Sequence, residues 1–165
     1  MKTRISTRVL LGFLSVIILM PLSTIADEVK QKSDFDYAAF TQVYFEAWKG
    51  TQQPNATAQD LENYLSLLTD DIGYQHLPWS DDDSRQPDGK AALRKGMTYY
   101  LASHDEYSAT LTNSAFGHNV IMIEFDTVAK GTHPDNGKVF QHDNSSFEVL
   151  EIENGKVSVI RHYSQ

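Results

Sequence analysis

The chain has 165 residues, no Cys, and 22 acidic against 14 basic residues, for a formal net charge of −8. That length suits one domain, and the acidity argues against nucleic acid or an anionic membrane face as a partner, because the long-range potential repels both. With no Cys, neither a disulfide framework nor a lipid anchor on a cleavage-site Cys is available.

The first segment differs from the rest. Lys2, Arg4 and Arg8 open it, an almost unbroken apolar run covers Val9 to Met20, and Pro21 is followed by the small residues around Thr24 and Ala26. Basic, apolar, small is the order of a secretory signal peptide, and the apolar run is shorter than the roughly 20 residues of a membrane span. Residues 1–26 are therefore expected to be removed on export, giving a periplasmic or secreted protein with no membrane attachment after cleavage. Its leader would carry away three basic and no acidic residues, leaving the remainder more acidic still. Residues 27–34 are polar and read as a flexible mature N-terminus.

A folded domain is expected over 35–165. Phe40, Val43, Tyr44, Ala47 and Trp48 recur at the three-four spacing of a helix face, with Gly50 placed to end it. Leu61, Tyr64, Leu65 and Leu68 repeat that spacing before Asp70–Asp71. From Ile72 to His76 the period drops to two, a short strand. A loop spans Pro78 to Asp88, and Ala91, Leu93, Met97, Tyr100 and Leu101 predict a third helix over 89–104. Alternation then gives strands over 107–112, 120–128, 139–153 and 156–163, the last two joined by the Asn154–Gly155 hairpin signal. The length of 139–153 suggests a bulge near Asn144 to Ser146. Helices segregated from an antiparallel meander make an α+β domain.

Several stretches resemble the NTF2-like superfamily, and within it the SnoaL-like proteins. They are the opening helix ending Ala47–Trp48, Leu68–Asp71 leading into the first strand, Gly89–Arg94 opening the third helix, and the closing hairpin from Phe147 through Asn154–Gly155–Lys156 to Arg161–His162–Tyr163. The resemblance covers about Phe35 to Tyr163. It implies a cone in which three N-terminal helices pack on a curved antiparallel sheet around one pocket, and a homodimer through the sheet. The family spans isomerases, cyclases, hydrolases, dehydratases and non-catalytic binding modules, so fold does not fix function. Related enzymes often place acids at the positions of His162 and Gln165 here, and both acids are missing.

Candidate chemistry rests mainly on histidines. His76 shares a strand face with Ile72 and Tyr74; His142 and Asn144 alternate on one face of the long strand; His162 lies on the last strand. An imidazole titrates near pH 6.5 and is suited to moving protons, so His76, His142 and His162 are the catalytic candidates. Glu124 and Asp126 share a strand face that reads as solvent-exposed. Tyr44, Trp48, Tyr74, Trp79, Phe116, Asn144 and Tyr163 are the candidate ligand-binding residues, an aromatic set suited to a small hydrophobic molecule. No metal or cofactor is implied: there is no close-spaced H-E-x-x-H pair, and Asp81–Asp82–Asp83 lacks the alternating ligands of a calcium loop. Two functions follow: a pocket protein holding a small, largely apolar ligand, or an acid-base enzyme (isomerase, dehydratase or hydrolase) using the pocket histidines.

Overall fold

The computed structural model describes residues 35–164. The leader, its cleavage point and the segment 27–34 lie outside them. Helix α1 covers Tyr37–Gly50, α2 Ala58–Leu65 and α3 Gly89–Tyr100; the strands are β1 Leu68–Leu77, β2 His104–Gly117, β3 Val120–Thr132, β4 Val139–Glu153 and β5 Lys156–Ser164. Two helices precede the sheet, and the third is inserted between β1 and β2.

Local chemistry sets the helix starts. The Asp36 carboxylate accepts from the Ala39 N–H at 3.0 Å, satisfying an otherwise orphaned donor of α1. Thr57 and Asp60 cap α2 reciprocally through side chain and backbone. Gly50 proves to be the last residue of α1, and Thr51 closes it in right-handed geometry, so no glycine-dependent cap forms there.

The sheet order is β1-β5-β4-β3-β2. β2 to β5 form the expected antiparallel meander, but β1 pairs with β5 in parallel, so the sheet is mixed. Parallel pairing needs a long crossover, and α3 with the three following strands supplies it.

β4 settles which side chains face inward. It pairs with β3 without interruption from Val139 to Glu151, so no bulge occurs near Asn144 to Ser146; the only register break lies against β5, between Glu151 and Ile152. The even-numbered residues Ser146, Glu148, Leu150 and Ile152 are buried, while Gln141, Asp143 and Ser145 are exposed. The inner face packs on α1 and α2 through Tyr44, Phe45, Leu61, Leu65, Ile121, Ile123, Phe125 and Ile160, all at most 2 % exposed. Phe45 and Phe125 stack with Trp48 at centroid separations of 5.7 and 4.8 Å.

The third helix ends earlier than its periodicity predicts. Ala102 adopts a left-handed φ of 58°, a conformation that stops a helix, and His104 becomes the first residue of β2. No residue of α3 is buried. Leu93 and Met97 are half-buried against the core, and ion pairs add a tether, Arg94 to Glu62 at 2.6 Å and Lys90 to Asp70 at 2.7 Å.

The loop after β1 folds back along that strand. Arg161 bonds Asp83 at 2.6 Å and Glu151 at 2.7 Å, and Arg85 bonds Asp71 and Glu153 at 2.8 and 2.7 Å. Gly73 permits this approach: a Cβ there would sit 2.2 Å from the Asp83 carbonyl oxygen. The loop thereby shields the edge strand, which would otherwise present unpaired backbone groups.

Candidate active site

Between the inner sheet face, α3, the end of α1 and the post-β1 loop lies a cavity of about 900 Å³. Five of the six histidines line it, His76, His104, His133, His142 and His162, with no Lys or Arg among the lining residues. Both tryptophans, Trp48 and Trp79, also line it.

Strand register builds its polar floor. His76 on β1 lies opposite His162 on β5, which lies opposite Glu148 on β4, so three polar side chains form one row across three strands. The His76 and His162 rings meet edge to face at 4.4 Å between centroids. His162 Nδ1 lies 2.9 Å from Glu148 Oε1, and the Tyr44 hydroxyl donates to Glu148 Oε2 at 3.1 Å. Tyr64 stands 3.3 Å behind Tyr44, hydroxyl to hydroxyl. Glu148 is 3 % exposed and His162 9 %. A carboxylate so far from water is tolerable only when donors surround it, and here both oxygens have one.

The partners fix which nitrogen carries the proton on each ring. The Glu148 carboxylate accepts only, so His162 donates through Nδ1–H, leaving Nε2 as its basic atom. The Ser164 hydroxyl lies 3.0 Å from that Nε2. His76 is the mirror case. Its Nδ1 lies 3.1 Å from the Tyr74 hydroxyl, whose ionisation is pushed above the ordinary tyrosine range by burial and then by the Glu148 charge. A phenol kept neutral still has its O–H to give; when it donates to Nδ1, His76 carries its proton on Nε2. Burial, followed by repulsion from His162, holds the His76 pKa below its usual value, which keeps that ring neutral. One ring is thus set as an acceptor and its neighbour as a donor.

A second polar group lies farther along the same face. His104 opens β2, and Phe140 and His142 follow each other inward on β4. His104 sits 5.6 Å from Phe140 and 4.9 Å from Tyr107, and Phe140 stacks on His142 at 5.9 Å.

Of the residues singled out from sequence, His76, His142, His162, Trp48, Tyr74 and Trp79 line the cavity. The other four do not. Tyr44 is fully buried beneath the floor, where it holds Glu148. Phe116 sits near the far end of β2 against Tyr37, at 6.2 Å, and is 47 % exposed. Tyr163 has odd parity on β5 and points to the outer sheet face, 5.7 Å from Phe147. Asn144 has inward parity but lies between the two polar groups, and its carbonyl accepts from the Thr127 hydroxyl at 3.4 Å. Glu124 and Asp126 are exposed, the latter accepting from Ser145 at 2.6 Å. Glu148 is the principal addition, with His104, His133, Phe140 and Tyr64. Among the described residues, no group of three or more His, Cys, Asp or Glu could hold a metal ion.

The sequence matches no family model and no curated protein. Solved structures do match. A protein from Shewanella putrefaciens assigned as a SnoaL-like polyketide cyclase superposes with a TM-score of 0.59 at 9 % identity, over 78 % of this chain and 91 % of that one. An NTF2-like protein of unknown function from Exiguobacterium gives 0.56 at 10 % identity, over 76 % and 98 %. An LEH-like epoxide hydrolase from M. tuberculosis gives 0.55 at 12 % identity, over 77 % and 84 %. The chain therefore has the NTF2-like fold, an α+β architecture with three helices and a five-stranded mixed sheet. At these identities the likeness speaks for the fold alone.

Proposed function

We propose that the chain binds a small, largely apolar molecule in the cavity and moves a proton on it, with His162 as the base. The carrying observation is the Glu148–His162–His76 row at the floor of an aromatic-walled cavity. A ligand carbonyl beside His76 would accept from its Nε2–H, which lowers the cost of negative charge developing on that oxygen. An acidic C–H nearby would lose its proton to His162 Nε2 once the Ser164 hydroxyl turns aside. Glu148 steadies the resulting imidazolium through Nδ1–H. That is the division of labour between acid and base seen when two titratable groups are held in opposite states. Some structural neighbours are named as enzymes, which agrees with this reading without fixing the reaction.

Simple ligand storage uses the same walls but leaves the row idle. We further propose that the protein acts after export through its N-terminal leader, and that two copies associate through the outer sheet face, where Met122 and Val128 are exposed.

Trp48 and Trp79 make occupancy directly readable. Titrating 1-tetralone, a bicyclic ketone with exchangeable protons beside its carbonyl, is expected to change tryptophan emission saturably. Trp79→Phe should reduce the signal without abolishing binding, since Trp48 also lines the cavity. An unchanged emission with 1-tetralone and comparable ketones would remove the cavity as a ligand site.

A further inference from the structure

The His104–His142 group is remote from the Glu148–His162 row and plays no part in the proton transfer described above. Glu148 lies six positions after His142 on β4, so their backbones stand up to roughly 20 Å apart at the rise of an extended strand. A molecule that reached both would be elongated. The lining between them is largely apolar and aromatic, with Leu93, Met97 and Tyr100 of α3 on one side.

Charge narrows the class further. The cavity offers no Lys or Arg, and its two acids are Asp82, which is exposed on the post-β1 loop, and Glu148, which is already bound to His162 and Tyr44. His104 and His142 are left as the only basic groups of their end together with His133, which meets Tyr100 edge to face at 5.9 Å and lies 4.0 Å from Asp135. The other titratable groups around the pair are Asp105 beside His104, Tyr107 on β2 and Glu148 farther along β4. His104 and His142 flank the Phe140 ring at 5.6 and 5.9 Å, and both line this end of the cavity, where an anionic group finds imidazoles and no Lys or Arg.

We infer that the far end of the cavity is a carboxylate subsite, in which His104 and His142 take the anionic head of an elongated apolar molecule whose body runs toward the Glu148–His162 row. This rests on the cavity being a ligand site and names the class of ligand it takes. The His104 pKa is held below the ordinary value by burial first and by His142 second. An arriving carboxylate favours the charged imidazole. Binding therefore takes up a proton and tightens as the pH falls.

Decanoate and 1-decanol share a chain and differ in the head, and both can be followed by tryptophan emission. Decanoate is expected to bind about tenfold more tightly at pH 6 than at pH 8, the change that follows when the bound carboxylate raises one imidazole pKa by about one unit. Decanol should bind equally at both. His104→Gln and His142→Gln should each remove most of decanoate's pH preference while leaving decanol binding intact, which also shows that the variants fold; His162→Gln should leave the preference in place. If both probes bind but decanoate shows no preference for low pH, or loses it only with His162, the subsite is wrong and the cavity reading stands. If neither probe alters the emission, both readings fall.

Discussion

Replacing Glu148 by Ala is expected to destabilise the fold by about 2–6 kcal/mol, about 1–3 kcal/mol for each of two buried donors left without an acceptor. The size follows from what is left behind. Tyr44 and His162 would each lose the acceptor they now use, at 3.1 and 2.9 Å, in a place where water does not replace it. Tyr44 is wholly buried, so its hydroxyl would keep only Tyr64, itself a phenol in need of an acceptor. Glu148→Gln keeps the volume and one carbonyl oxygen but turns an amide N–H₂ toward one of two donors. A loss of about 1–3 kcal/mol is expected, the usual penalty for an unsatisfied buried polar group. Urea unfolding followed by tryptophan emission measures both. A Glu148→Ala protein as stable as the parent would mean that the carboxylate is not buried among donors at all.

Replacing His162 by Gln should lower exchange of the protons beside the 1-tetralone carbonyl into D₂O by a factor of about 10²–10⁴, the usual contribution of a positioned base. Binding of the ketone, read by emission, should change little. The imidazole is the base of the row whose acceptor nitrogen meets only a hydroxyl, that of Ser164, which can rotate away, whereas both oxygens of Glu148 are taken by donors. Gln can still donate to Glu148 but cannot take up a proton, so it separates fold from chemistry. Ser164→Ala discriminates between two uses of the contact at 3.0 Å. If the serine merely occupies Nε2 until the ligand arrives, exchange persists; if Ser164 is itself the reacting group, Ser164→Ala stops turnover as completely as the His162 change does.

Much of this was legible before any coordinates. The three-four spacing from Phe40 to Trp48 corresponds to α1, and the closing hairpin folds as its Asn154–Gly155 signal implies, whereas the first strand begins at Leu68, four residues before the switch to period two at Ile72. His76 and His162 could be singled out by residue type and strand position, but their adjacency could not. It arises from parallel pairing of β1 with β5, a long-range contact that no local pattern encodes.

Glu148 was hidden by symmetry of pattern. On one face of β4 Leu150 and Ile152 are apolar, on the other Phe147 and Val149, so alternation alone gives two equally good inward faces. Pairing with β3 puts the even residues inside, and the acid then falls among them. The same parity places Phe147 and its neighbour Tyr163 outside, which is why an aromatic that looked suited to the pocket is absent from it. His104 escaped for a different reason. Helical periodicity carries on through it, and only the left-handed Ala102 ends α3 early enough to make it a strand residue facing the cavity.

The central claim is that neighbouring imidazoles are set in opposite protonation patterns, His162 with its proton on Nδ1 toward Glu148 and His76 with its proton on Nε2. Long-range ¹H–¹⁵N correlation of the ring nitrogens at neutral pH reads both directly. An unprotonated Nε2 on His162, with the proton on Nδ1, is the predicted result; a His162 proton resting on Nε2 in the unaltered protein would contradict the assignment of that atom as the base.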